Sequence, residues 1–162
     1  ISSIVDDKYK LNCLLSVISL VNLSIIEGQI IKNIFKITDN FLKLMIKKKN
    51  WISLYCIYLF NLLKIIGYAV ETSNENKYKY FNLENNEFTI NNNDNKAIIF
   101  PYDLLNNNLS SSNYISIKNC FKIFENIFIR NHLSIINLQL PNQYHYFKKL
   151  IIEYFEKKLV KL

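Results

Sequence analysis

Cysteine and histidine are the residues of this 162-residue chain best suited to bind a metal ion or to act as a nucleophile. The three cysteines, Cys13, Cys56 and Cys120, lie far apart in the sequence. Structural zinc sites usually place two ligands two to four residues apart, and no such cysteine pair is present. The two histidines, His132 and His145, are too isolated to indicate a metal site or a catalytic pair. We therefore expect no metal, no cofactor and three reduced thiols.

Carboxylates and glycines give equally weak signals for catalysis. The adjacent pair Asp6–Asp7 would point in different directions on a helix, because neighbouring helical residues do not share a face. Glu153 and Glu156 share one helical face, which is more typical of a solvated surface than of a catalytic pair. Gly28 and Gly67 stand alone, so no glycine-rich phosphate loop is present. No serine–histidine–aspartate arrangement is visible either. We expect a protein that is not an enzyme.

The charge of the chain favours a polyanionic partner. Lysine and arginine number 20 against 13 acidic residues, which gives a net charge of +7. Such a balance suits nucleic acid or an acidic protein tail, although the codon bias of an AT-rich genome would also raise the lysine content. Arg130 is the one arginine, and lysine neutralises phosphates without the bidentate fork that reads guanine edges. Sequence-specific reading of DNA is therefore not expected.

The composition predicts a mainly α-helical domain. Half of the residues are hydrophobic and 14% are aromatic, which excludes disorder as the dominant state. Glycine and proline occur only twice each, fewer than β-sandwiches or doubly wound α/β folds usually need for their turns. We expect a helical bundle with a small β-hairpin insertion, formed as one helical domain over residues 1–162. The start at Ile1 suggests a piece of a longer protein.

Three helices are predicted in the first half, over Lys8–Ser24, Ile30–Ile46 and Trp51–Ile66. Their short connections imply antiparallel neighbours in a bundle. The third helix is apolar on almost every face, which is typical of a buried core helix or of a membrane span. A span needs about 20 apolar residues, and this run is shorter and carries Lys64 in its last turn. We favour the core helix; the alternative is a small membrane-associated protein with two short spans, Leu11–Ile26 and Trp51–Ile66.

The second half of the sequence predicts a hairpin followed by further helices. Two short strands are expected within Tyr78–Ile90, on either side of Glu84–Asn86. The segments predicted after them are a polar loop at Asn91–Asn95, a short apolar run at Ala97–Phe100, a helical turn from Pro101 to Leu105, a linker at Asn106–Ser112, a helix over Ile115–Ile129, an extended join at Leu138–Pro141 and a helix over Gln143–Leu159 capped by Asn142.

The order of these motifs resembles a known family. The motifs, in chain order, are Ile26–Glu27–Gly28, Trp51, Tyr58–Leu63, Ile66–Gly67–Tyr68, Tyr80–Phe81, Ile98–Pro101, Leu104–Leu105, Arg130–His132 and Leu138–Pro141. Over residues 8 to 155 they resemble the C-terminal helical region of the DNA recombination and repair protein RecO, in its zinc-free form. In that family a helix of the type F-E-L-x-L-L-x-x-L-G-Y leads into a hairpin or zinc module and two more helices. Here Leu59 replaces the glutamate and Ile57 the preceding basic residue, and the family's N-terminal oligonucleotide-binding barrel has no counterpart.

The resemblance implies a non-catalytic recombination mediator. Proteins of the RecO family bind single-stranded DNA and anneal complementary strands in the cytoplasm, at the nucleoid. They pair with RecR, engage the acidic, hydrophobic-tipped tail of single-strand-binding protein, and help RecA to load. No membrane contact is implied. The remaining alternative is an uncharacterised helical adaptor.

The same resemblance suggests two sets of binding residues. A tail that ends in a phenylalanine carboxylate needs an apolar groove rimmed by cations. We expect such a groove from Lys43, Lys47, Phe60, Leu63 and Lys64, unless the apolar residues are core and the lysines only solvated. The expected contacts to the DNA backbone are Lys122, Arg130, Lys148 and Lys149.

Overall fold

Three helices form the first half of the protein. The computed structural model describes residues 7–25, 31–70, 77–91, 96–105 and 114–159. Helix α1 spans Lys8–Ser24, α2 spans Ile34–Lys47 and α3 spans Trp51–Ile65. The Asp7 carboxylate caps α1 by accepting hydrogen bonds from the backbone N–H groups of Tyr9 and Lys10, at 3.0 and 3.2 Å.

The ends of α2 and α3 are set by residues in the left-handed region. The second helix was predicted to begin at Ile30, but residues 31–33 are not helical. Asn33 has a φ of 69°, and the helix starts after it. Helix α3 ends in a Schellman motif. Gly67 has a φ of 96°, and the backbone N–H of Tyr68 donates to the carbonyl of Leu63 at 2.8 Å.

A three-stranded antiparallel sheet follows α3. Strands β1 (Tyr80–Asn82) and β2 (Glu87–Thr89) form the expected hairpin. The apolar run after it is also a strand, β3 (Ala97–Ile99), which pairs with the other edge of β1 and gives the order β2-β1-β3. The predicted hairpin was therefore incomplete. A three-residue strand carries too little alternation to be distinguished from a loop.

Helices return in the last part of the chain. The short helix α4 (Tyr102–Leu105) leads to α5 (Tyr114–Phe128). The helix does not end near Arg130 as predicted. It continues through a π turn at Ile129–Leu133 into α6 (Ser134–Ile136), and α7 (Asn142–Leu159) closes the fold.

Helix α3 lies at the centre of the core, as the sequence predicted. Most of its residues are buried, including Tyr55, Leu59 and Leu63, which have no exposed surface. The described part of the protein is mainly helical with a small antiparallel sheet. None of the helices in the described ranges combines the length and apolar character needed to cross a bilayer. Predictions for Asp6, Ile26–Gly28, Asn92–Asn95 and Asn106–Ser112 fall outside the described residues.

Candidate functional site

A shallow groove of about 150 Å³ runs between α2 and α3. Each helix contributes four side chains at positions i, i+3, i+4 and i+7, which is the spacing of one helical face. The eight residues are Ile37, Asn40, Phe41 and Leu44 on α2, and Leu54, Ile57, Tyr58 and Asn61 on α3. The groove is therefore mostly apolar, with one asparagine from each helix.

Two stacked aromatic rings form part of the groove wall. The rings of Phe41 and Tyr58 lie 5.0 Å apart at an angle of 27°. The hydroxyl of Thr38 donates to the carbonyl of Ile34, so it accepts a hydrogen bond from the Tyr58 hydroxyl, at 3.2 Å. Burial raises the pKa of Tyr58 to about 12. The wall is consequently uncharged at neutral pH.

The apolar side chains of the groove form a strip, and lysines lie beyond both of its ends. The strip consists of Ile37, Phe41, Leu44, Leu54, Ile57 and Tyr58. Thr38 contacts Tyr58, and Phe41, which is later in α2, contacts Tyr55, which is earlier in α3. The two helices therefore run antiparallel. Lys47 lies one turn beyond Leu44 on α2, and Lys64 lies one turn beyond Asn61 on α3. Antiparallel packing thus places these two lysines at opposite ends.

A third lysine is next to the groove residues in the sequence of α2 without lining the groove itself. Lys43 is exposed, one turn beyond Asn40, and forms an ion pair with Asp39 at 2.6 Å. An exposed pair of this kind contributes little to stability, so Lys43 can exchange partners at small cost.

The predicted apolar members of this site need correction. Leu63 is fully buried, and only 8% of Phe60 is exposed, with its ring edge-to-face against Phe100 at 5.9 Å. Neither side chain lines the α2–α3 groove, which Ile57 does instead. Because α3 is apolar on nearly all faces, it has no polar side from which its groove-facing residues could be identified in the sequence. Leu59 is also fully buried, where a glutamate would carry a large desolvation cost.

The four residues expected to contact DNA do not share one role. Arg130 donates to the backbone carbonyls of Leu83 and Glu84, at 3.0 and 2.5 Å, and so holds the β1–β2 turn. Lys148 contacts both carboxylate oxygens of Glu125, at 2.6 and 2.8 Å. Both cations thus already have intramolecular partners.

The other two predicted DNA contacts are exposed. Lys122 lies on α5 and Lys149 on α7, where the Lys149 ammonium is 3.9 Å from the Glu153 carboxylate. An exposed contact of that length holds the lysine only weakly. These two residues therefore remain available for a phosphate.

The cysteines and His132, which the sequence offered as possible metal ligands or nucleophiles, are buried. All three cysteines are buried, and desolvation raises the pKa of the Cys13 and Cys120 thiols well above their usual value. The buried His132 ring donates through Nε2 to the carbonyl of Leu23, at 2.9 Å. Within the described ranges, no cluster of three histidine, cysteine, aspartate or glutamate residues could hold a metal ion. The absence of bound zinc stays a prediction for elemental analysis.

Comparison of the chain with models of protein families, with curated proteins and with solved structures gives no match. The relation to the RecO family therefore remains a prediction from the order of sequence motifs. In the α2–α3 groove, apolar side chains lie next to exposed lysines of the same two helices.

Proposed function

We propose that this protein is a non-catalytic binding domain whose α2–α3 groove accepts an acidic peptide with an apolar end. The observation that carries this proposal is the placement of lysines around an apolar strip. The strip includes the stacked Phe41 and Tyr58 rings, while Lys47 and Lys64 mark its two ends. A net charge of +7 favours the approach of an acidic segment over distances of about a Debye length.

Two kinds of contact would contribute to the binding energy of a peptide in the groove. Burial of one large apolar side chain against the groove wall is worth about 1.5–3 kcal/mol. Each exposed lysine that pairs with a peptide carboxylate adds about 0.2–1 kcal/mol, and salt weakens that contribution. Lys43 has to leave Asp39 in order to take part, which is a small cost for an exposed pair. We therefore expect an affinity that is modest and falls with ionic strength.

The resemblance to RecO supplies a specific partner to test first. The tail of single-strand-binding protein is acidic and ends in a phenylalanine carboxylate, which matches the two requirements of the groove. On this proposal the protein acts as a recombination mediator at the nucleoid in the cytoplasm. It would contact RecR and the backbone of single-stranded DNA, and would assist the loading of RecA and the annealing of strands.

Fluorescence anisotropy with a labelled acidic peptide that ends in phenylalanine tests the groove. The variant Lys43→Glu with Lys64→Glu should weaken binding by about 1–3 kcal/mol, or roughly 5- to 150-fold. The matched control, Lys122→Glu with Lys149→Glu, makes the same change in net charge away from the groove and should bind nearly as wild type. A peptide whose terminal phenylalanine is replaced by alanine should also bind more weakly.

Two results would contradict this proposal. Equal losses in the two double variants would show that only overall charge attracts the peptide, and would remove the groove from the proposal. A wild-type protein that does not bind the peptide at low salt would contradict the proposed function itself.

Single-stranded DNA binding has its own test. The logarithm of the affinity should fall with the logarithm of salt concentration, with a slope of about −0.7 for each phosphate contacted. Lys122→Ala with Lys149→Ala should reduce that slope, because Arg130 and Lys148 already have close intramolecular partners and these two exposed lysines are the remaining cations of the predicted DNA set. An unchanged slope would exclude both residues from the contact.

A further inference from the structure

A second and larger pocket, of about 370 Å³, lies between the hairpin, the segment after α3 and the π turn. Its apolar lining includes Tyr68, Phe81, Phe88 and Ile127. None of these residues lines the α2–α3 groove, so the pocket is a separate site. A pocket of this volume is in the size range of small-molecule sites.

The π turn forms one side of this pocket. The backbone N–H of Ser134 donates to the carbonyl of Ile129, five residues earlier, and Asn131 lies inside the turn and lines the pocket. The Tyr68 hydroxyl donates to the Asn131 carbonyl at 2.6 Å, which fixes that wall relative to the end of α3. A π turn within an α-helix costs hydrogen-bond regularity and is found frequently at functional sites.

The opposite side of the pocket is also held in place. The side-chain amide of Asn126 donates to the carbonyl of Leu83 and to Oδ1 of Asn86, both at 2.7 Å. Arg130 donates to two carbonyls of the same turn. The pocket walls are therefore pre-organised, which lowers the entropic cost of binding a small ligand.

The charge of the lining selects the kind of ligand. Glu87 is the charged residue among those that line the pocket. The other hairpin glutamate, Glu84, is paired with Lys96 at 2.6 Å, whereas Glu87 forms no ion pair within the described part of the chain. The one hydrogen bond described for its carboxylate comes from the Asn85 amide, at 2.9 Å. A carboxylate beside aromatic walls attracts a cation and repels a phosphate.

We infer that this pocket binds an alkylammonium group. The aromatic rings of Phe88 and Tyr68 would contact the methylene groups and the cation, and the carboxylate of Glu87 would neutralise the charge. The amide of Asn131 offers an additional acceptor for an ammonium N–H. The group could belong to a small amine or to a lysine side chain of a peptide, since both present the same chemistry. The inference does not depend on the function proposed for the groove.

Titration of the ¹⁵N-labelled full chain with n-butylammonium chloride, at constant ionic strength, tests the inference. We expect saturable shifts of the amide signals of Ala69, Val70 and Phe88, and binding at least fivefold weaker for n-butanol, which lacks the charge. Glu87→Gln should weaken n-butylammonium binding at least fivefold. The matched control is Glu84→Gln, which removes the same charge from the same hairpin but outside the lining, and should change the affinity less than twofold.

Two further results decide the source of the ligand and the validity of the site. A lysine-containing peptide that binds more tightly than n-butylammonium, and loses that advantage on acetylation of the lysine, would assign the cation to a protein side chain; equal affinities would assign it to a free amine. Phe88→Leu, checked for folding by circular dichroism, should also weaken binding. Shifts that do not saturate, or equal affinities of wild type and Glu87→Gln, would overturn the inference.

Discussion

The Tyr68 hydroxyl donates a hydrogen bond to the backbone carbonyl of Asn131, 63 residues away in sequence, at 2.6 Å. Tyr68 is the third residue after the end of α3, and Gly67 before it supplies the left-handed conformation that redirects the chain. Asn131 belongs to the π turn, where the usual i to i+4 pattern of backbone hydrogen bonds is interrupted. The bond therefore joins the end of the central helix to the π turn that follows α5.

We predict that Tyr68→Phe lowers the free energy of unfolding by about 0.5–1.5 kcal/mol, because it removes one side-chain hydrogen bond and leaves the ring in place. Urea unfolding followed by circular dichroism measures the change. Tyr146→Phe is the control, since its side chain is exposed and should change stability by less than about 0.5 kcal/mol. Equal effects of the two substitutions would show that the Asn131 contact does not contribute.

Replacement of Phe60 by alanine should lower the free energy of unfolding by about 3–5 kcal/mol. Its ring is nearly enclosed and packs edge-to-face on Phe100, so alanine leaves a cavity between α3 and the sheet. The control is Phe35→Ala on α2, because 71% of that side chain is exposed. Chemical unfolding of both variants compares them directly. A cost below about 1 kcal/mol for Phe60→Ala would contradict its assignment to the core.

Helix positions were predictable from the sequence where capping and periodicity agreed. Helix α1 has the predicted limits because Asp7 caps it and its buried residues recur at helical spacing. The start of α2 was not predictable, because Asn33 adopts a left-handed conformation that an asparagine only sometimes takes. The π turn also lacks a sequence signal, because the helix that follows it, Ser134–Ile136, is too short to show a shift of the apolar stripe.

The surface was less predictable than the core. Helix α2 is amphipathic, so its apolar face could be recognised in the sequence, whereas binding of a partner by Lys43 and Lys47 stays a prediction. The residues of α3 that face the groove could be identified only from the structure. The pocket at the π turn depends on contacts between Tyr68, the hairpin and Asn131, which lie too far apart in sequence for any spacing rule to connect them.

Two consecutive lysines on α7 should differ in their effect on stability. Lys148 is paired with Glu125, with only 29% and 18% of their side chains exposed, whereas 74% of the Lys149 side chain is exposed. Lys148→Ala leaves the Glu125 carboxylate unpaired in a partly buried position, so we expect a loss of about 1–3 kcal/mol. Lys149→Ala should change the free energy of unfolding by less than about 0.5 kcal/mol. Thermal and urea unfolding of both variants provide the comparison, and similar values would mean that the Glu125 pair has no net stabilising effect.

The pH dependence of stability should reveal the buried Tyr58 hydroxyl of the groove. Burial raises the pKa of Tyr58 to about 12 in the folded protein, against 10 for an unperturbed tyrosine. The unfolded chain therefore loses this proton first as the pH rises. The contribution of Tyr58 is complete below pH 10 and falls between about pH 10 and 12, by at most about 1.4 kcal/mol per pH unit.

Comparison of wild type with Tyr58→Phe isolates this effect, because the lysines titrate in both proteins. Urea unfolding at intervals from pH 8 to 11.5 should give a shallower alkaline loss of stability for the variant, which has no phenol to ionise. Tyr58→Phe should also be less stable at neutral pH, since it lacks the hydrogen bond to Thr38, so the slope and not the absolute value is the measure. Parallel curves for wild type and Tyr58→Phe would show that the hydroxyl ionises in the folded state as easily as in the unfolded chain, and that the groove wall is more open to water than its packing indicates.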